Sequence, residues 1–429
     1  VTTAPLLPHR LAAGVTDARA RLRAAGARPG DRIVLDAPAR SRWDVLPHLL
    51  AAADLGLATL VADPGWSAAE RRAVLLDADP DLVVATGGVT GPRDPGRATR
   101  PEDGTALLPT TSGSTGAPSV LARTRESWRI GFDVLGPLPG PVLVPGPPSS
   151  TLYLFGALYA LHHGLDPVTT GRFDPADARA AGTVHLVPAL LSALLDDRER
   201  HPGGPAPSVV VCGGAHVAPA VRDRCARLLP GTLLLEYYGS AEHSLIAIRR
   251  DGGPLRPVPG VELTLADGVL WVDSPQAVAG RLRHGVLEPA GPGPSTVGDR
   301  AVIDADGALT VLGRASATIS TGGTLVAAEE VEQVLRAVPG VADVVVAGTP
   351  HASLGMLVTA VVEPAPGGDA DRRALREAAR RALSPAKRPR RWLVTGALPR
   401  LGSGKPARTA VDAGLRDGTL DARPCGTHR

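Results

Sequence analysis

Residues Thr110–Ser119 read Thr-Thr-Ser-Gly-Ser-Thr-Gly-Ala-Pro-Ser, a run of hydroxyls and glycines. Glycine lets backbone N–H groups come close to an anion, and Ser and Thr add hydroxyl donors. That combination suits a polyphosphate. No Lys follows the second glycine, so the run is not a Walker A loop. The strand-like Ala106–Pro109 ahead of it sets it apart from a surface linker. Two apolar strands also end in small residues: Ser208–Cys212 runs into Gly213-Gly214, and Leu233–Tyr237 runs towards Gly239. Ligands bind at the ends of buried parallel strands. Cys212, Cys225 and Cys425 have no CxxC spacing. That argues against a zinc site and a disulfide framework and fits a reducing cytosol.

The run at Thr110 resembles the phosphate loop of the adenylate-forming superfamily, which includes acyl-CoA synthetases, peptide-synthetase adenylation domains and luciferases. That loop usually reads T-S-G-[ST]-T-G-x-P-K-G, and the match holds through Pro118 and departs at Ser119, where Lys is usual. Five further motifs follow in the family's order. Gly213-Gly214-Ala215 resembles the adenine-contacting turn, and Tyr237-Tyr238-Gly239-Ser240-Ala241-Glu242 resembles Y-G-x-T-E. Val297-Gly298-Asp299-Arg300 resembles T-G-D. Gly313-Arg314, with Gly322-Gly323 and Glu329-Glu330-Val331-Glu332, resembles the hinge stretch. Pro399 to Lys405 resembles the C-terminal P-x-x-x-x-G-K.

The resemblance implies ATP-dependent activation of a small carboxylic acid as an acyl-AMP, with pyrophosphate leaving. Both reactants are anions, so catalysis is mostly charge neutralisation and alignment. It implies that Thr111, Ser112, Gly113, Ser114, Thr115 and Gly116 cradle phosphates, with Gly239 and Ser240 beside them. Gly214 and Ala215 flank the adenine opposite Tyr238, and Asp299 accepts the ribose hydroxyls. Glu242 ligates Mg²⁺, Arg314 meets the nucleotide near the domain junction, and Lys405 is the mobile catalytic cation. Ser316 stands at the hinge in place of the family's Asp. Ala241 replaces a Thr whose hydroxyl meets the α-phosphate, a loss of about 1.5–3 kcal/mol if unreplaced, with Ser240 the nearest substitute.

The acid pocket is drawn from Tyr153, His185, Val187, Gly214, Glu236, Tyr237 and Leu245. This lining suits an aryl or short acyl acid. Pro147–Tyr153 holds no acidic residue, which disfavours an α-amino acid. His216 and His243 are read as structural. The expected acceptor is CoA, with a carrier protein or another nucleophile as alternatives. The non-enzyme alternative is a nucleotide-binding protein with degenerate catalysis. The basic run Lys387-Arg388-Pro389-Arg390-Arg391 is read as a solvated face rather than a phosphate site.

The elements that must position these residues alternate. Helical patterns at Leu11–Ala25, Trp43–Leu55, Ala68–Asp77 and Leu154–His163 interleave with strands at Asp31–Leu35, Ala58–Val61, Leu82–Ala85 and Pro141–Val144. That rhythm predicts an α/β fold with parallel sheet. Short strands from Val261 to Leu312 predict a small β subdomain. The boundary falls near Ser316: a large domain over 1–315, then a small mobile α+β domain over 316–429. With 429 residues, more than one core is needed. Aromatics make up only 3%, so those cores rest on Ala, Val and Leu. Net charge is +3 without a clustered basic face, which excludes a nucleic-acid partner. Val1–Ala20 lacks a signal-peptide pattern, and no window reaches the length of a membrane span. The expected place is the cytoplasm, away from membranes.

Overall fold

Arg32–Leu35 reads Arg-Ile-Val-Leu, and all four residues are buried. A strand covered on both faces belongs in the middle of a parallel sheet. In the computed structural model it lies there, between Ala58–Val61 and Leu82–Ala85, both parallel to it. The structure describes residues 9–426 apart from 37–41, 86–87, 91–92, 97, 99–102, 112–117, 171–172, 215–216, 218, 315–317, 366–367, 369, 400–405 and 407. Two units divide the chain. The first holds Val1–Pro64, Leu75–Thr110 and Ser119–Gly313; the second holds Gly65–Val74, Thr111–Pro118 and Arg314–Arg429.

In the first unit the opening sheet continues through Thr105–Leu107 to Ser119–Thr124, then antiparallel to Gly280–Arg283 and Val286–Pro289. A second sheet runs Leu233–Ser240, Val209–Cys212, Thr183–Leu186, Val142–Val144 and Pro167–Thr169, all parallel. Ser244–Arg250 folds back antiparallel on Leu233–Ser240. The helix Thr151–His162 is apolar around most of its circumference and buries Leu152, Tyr153, Phe155, Ala157 and Tyr159, as expected of a helix covered on all sides. The scarce aromatics gather against it. Phe155 lies 5.7 Å from Trp128 and 4.9 Å from Phe132, both on the helix Arg125–Leu135. A four-stranded antiparallel sheet, from Glu262–Ala266 to Leu309–Arg314, forms the small β portion.

In the second unit, Val331 and Leu335 of helix Ala328–Arg336 pack with Val344, Val358 and Ala360 of the paired strands Val341–His351 and Gly355–Pro364. Leu375 and Ala379 of helix Arg372–Ala382 complete that core. Gly65–Val74 joins this unit through Ser67 and Glu70. The backbone N–H of Ser67 donates to Glu70 and the N–H of Glu70 donates to the Ser67 hydroxyl, a capping box opening the helix Ala68–Ala78.

One expectation is corrected here. Lys387 is not on a solvated face: it is only 5% exposed, and its ammonium donates to Glu70 Oε1 at 2.6 Å and Glu330 Oε1 at 2.7 Å. Two buried carboxylates need a cation between them, and that need draws Lys387 inward. Arg388 turns back onto the carbonyls of Leu383 and Arg380, while Arg390 and Arg391 stay exposed.

Burial pushes the Glu330 carboxyl up from 4.5 to about 7. The folded chain therefore keeps a proton that the unfolded chain has released, and this group's contribution to stability falls as pH rises through that window. Thermal melts from pH 5 to 8 should show a steeper fall in Tm for the wild type than for Glu330→Gln; equal slopes would contradict the assignment. Lys387→Met should cost about 3–5 kcal/mol in urea unfolding, because it leaves both carboxylates without their cation.

Candidate active site

The second sheet's strands end together. At that edge Gly213 lies under the ring of Tyr237, where a Cβ would fall 2.2 Å from Cζ, so only glycine fits. Gly146 does the same under Tyr153, with a Cβ 1.9 Å from Cε2. Gly214 has φ +82°, the left-handed region that glycine tolerates. Tyr153, Val187 and Leu245 are buried in one core against which Tyr237 and Tyr238 pack. His185 is buried beneath the helix Thr151–His162, with its Cγ 2.8 Å from where a Cβ on Gly156 would sit. Burial holds its imidazole down at about 4, so it is neutral at physiological pH, and neither ring nitrogen has a hydrogen-bond partner among the described residues.

Glu236 does not join this pocket. Successive strand residues face opposite sides of a sheet. Tyr237 shares a face of the sheet with Leu235, Val211 and His185, so Glu236 points to the other face, where its carboxylate meets Arg222 at 2.7 Å and Arg249 at 3.3 Å. Its place in the pocket is thereby corrected.

Beyond Tyr237 the strand turns sharply. A Cβ on Gly239 would fall 2.1 Å from the Ser244 carbonyl, and the register shifts between Tyr238 and Gly239. The Ser240 hydroxyl accepts from the His243 N–H and lies 3.1 Å from its Nδ1, and His243 Nε2 lies 2.7 Å from the Ser295 hydroxyl. Ser240 thus caps the turn rather than pointing freely at a ligand, and His243 is buried with its basicity lowered by desolvation. The Tyr238 hydroxyl donates to Asp299 Oδ2, which fixes that carboxylate at the end of the strand Asp299–Ile303.

Glu242 follows. Its carbonyl accepts from the Val278 N–H at 2.9 Å, and its carboxylate lies 3.7 Å from the Arg281 guanidinium. The carbonyl of Ala241 just before it accepts from Arg123 Nη1 at 2.7 Å. Arg123 is only 1% exposed; its Nη2 donates to the Gln276 carbonyl and, at 3.3 Å, to the Ser127 hydroxyl. Burial lowers the guanidinium to about 10, which leaves it charged at neutral pH. Arg123 and Arg281 are the residues that motif reading missed. The available signal was a lone Arg in the otherwise apolar Val120–Ala122 strand and the Arg-Leu-Arg alternation at Arg281–Arg283.

Thr111 ends the strand Thr110–Thr111, and Arg314 ends Leu309–Arg314. Ser112, Gly113, Ser114, Thr115, Gly116, Ala215, His216, Ser316 and Lys405 lie outside the described residues. Among the described residues no group of three or more His, Cys, Asp and Glu converges, and no helix is long and apolar enough to cross a membrane.

The family described as AMP-binding enzyme matches residues 88–282, and the AMP-binding enzyme C-terminal domain matches 330–405. An uncharacterized acyl-CoA ligase, YhfT of Bacillus subtilis, is 28% identical over 87% of this chain and 88% of its own length. The amide bond synthetase McbA from Marinactinospora thermotolerans superposes with TM-score 0.81 at 25% identity over 95% of each chain. The o-succinylbenzoate CoA synthetase MenE from Bacillus subtilis gives TM-score 0.83 at 22% identity, covering 97% of this chain and 94% of that one, a likeness of fold. The chain belongs to the adenylate-forming family of AMP-binding enzymes, and among its members it is of the acyl-CoA ligase type.

Replacing Arg123 by Met should leave the buried carbonyls of Ala241 and Gln276 unpaired, at about 1–3 kcal/mol each. Urea unfolding checks this; a loss below about 1 kcal/mol would show that water or a neighbour replaces the guanidinium.

Proposed function

We propose that this enzyme activates a small carboxylic acid with ATP and passes the acyl group to the thiol of CoA. The observation that carries the reading is that one turn holds both groups: Tyr238 donates to Asp299, and Glu242 is fixed by the Val278 N–H on its carbonyl and by Arg123 on the carbonyl of Ala241 before it. A carboxylate oxygen bonds to the α-phosphorus, the bond to the β-phosphate oxygen breaks, and pyrophosphate leaves. The CoA sulfur, its proton lost to solvent, then bonds to the acyl carbon and AMP leaves.

Asp299 accepts hydrogen bonds from the ribose diol, since a carboxylate offers two acceptor oxygens. Tyr238 lies against the adenine, with Gly214 and Ala215 opposite. Glu242 presents a carboxylate to the phosphates, which fits Mg²⁺, an ion that commonly uses one or two carboxylates plus substrate phosphates and water. When bound, Mg²⁺ neutralises phosphate charge. Lys405, on the small domain of residues 316–429, reaches the acyl and phosphate oxygens as a mobile point charge. Ser316 serves as hinge. The acid pocket drawn from Tyr153, His185, Val187, Gly214, Tyr237 and Leu245 takes an aryl or short acyl group.

A second reading has one observation in its favour: the likeness to an amide bond synthetase at 25% identity over 95% of the chain makes an amine a competing acceptor. Weighing the products formed with CoA, with simple amines and with a phosphopantetheinyl carrier protein separates these acceptors.

Acid-dependent exchange of labelled pyrophosphate into ATP tests the first step. Exchange above background is expected with an aryl or short-chain acid, and none across a broad acid panel would sink the reading. Lys405→Ala should lose exchange by at least about a hundred-fold while still binding ATP. Unchanged exchange would remove Lys405 from its role.

A further inference from the structure

Bringing ATP and a carboxylate together concentrates negative charge, and the leaving pyrophosphate takes most of it away. The cations close to Glu242 in the first unit decide how that charge is met. Arg123 is fully buried and donates to two backbone carbonyls and a serine hydroxyl, so its donors face inward. Arg281 differs in each respect. Its side chain is 46% exposed, it approaches the Glu242 carboxylate at 3.7 Å, and its guanidinium makes no hydrogen bond among the described residues. That separation is longer than a charge-assisted hydrogen bond, so the planar fork of donors stays open for another anion.

Position supports the same use. The strand Gly280–Arg283 is bonded antiparallel to Ser119–Thr124, with Arg281 opposite Leu121. Leu121 is two residues, about 7 Å of strand, from Ser119, where the glycine-rich run ends. Arg283, the other cation of the strand, is paired with Glu288 at 3.2 Å. Arg281 therefore stands beside the Glu242 carboxylate on a strand whose neighbour begins at Ser119.

We propose that Arg281 binds the β- and γ-phosphates of ATP and neutralises the departing pyrophosphate. This rests on the reading of Glu242 as the carboxylate at the phosphate end of an adenylating site. A guanidinium suits the role because its fork matches phosphate oxygens bidentately, which an ammonium does not.

Calorimetry with Mg·ATP, pyrophosphate and AMP on the full chain tests it. Arg281→Ala should bind Mg·ATP and pyrophosphate about ten- to a hundred-fold more weakly, with AMP changed less than about two-fold. Arg281→Lys, which keeps the charge and loses the fork, should fall between. Wild-type or tighter Mg·ATP binding in Arg281→Ala would overturn the proposal, and so would an equal loss of AMP affinity, since that marks a merely structural residue. Binding is judged apart from turnover. A wild type that binds Mg·ATP without acid-dependent exchange would sink the adenylation reading and leave Arg281 to be decided by its own affinities.

Discussion

The buried guanidinium of Arg123 joins two pieces of chain far apart in sequence. By donating to the carbonyls of Ala241 and Gln276, it ties the turn carrying Tyr238–Glu242 to the segment leading into the strand of Arg281. A charge placed there is costly unless its donors are satisfied, so the surrounding backbone has little freedom to drift. The Val278 N–H to the Glu242 carbonyl and the Ala279 N–H to the Ala122 carbonyl close the same frame. Glu242 is carried on a short turn, and it is this internal cross-tie that lets the turn hold a carboxylate in one place.

Glycines supply the complementary constraint. Gly146, Gly213 and Gly239 leave room where any Cβ would collide with Tyr153, Tyr237 or the Ser244 carbonyl. Two phenol rings can then lie flat on strand ends, and the chain can reverse within a few residues of them. The turns at Gly146, Gly213 and Gly239 thus share one physical device: backbone stripped of side chains so that a neighbour can approach.

Much of this was legible in sequence. The strands Ala58–Val61 and Leu82–Ala85 were readable because continuous apolar runs bounded by turn residues have few other uses. The helix Arg125–Leu135 and the strand Ser119–Thr124 were not, because the buried Arg123 between their apolar stretches donates to the carbonyls of Ala241 and Gln276, more than a hundred residues away. Glu236 misled because a carboxylate beside two tyrosines looks like pocket lining until strand alternation turns it away. Lys387 misled because a basic run looks solvated, and its buried acidic partners lie far along the chain at Glu70 and Glu330. Motifs expose what a local backbone needs. Long-range polar pairing leaves no local trace.

In the reaction proposed for this enzyme a carboxylate oxygen of the substrate attacks the α-phosphate. The most direct measurement uses an acid labelled with ¹⁸O in its carboxylate, ATP and CoA, with the products weighed by mass spectrometry. AMP carrying one ¹⁸O atom from the acid, together with unlabelled pyrophosphate, is the expected result of that attack. ADP as the nucleotide product, or label in phosphate with none in AMP, would contradict it.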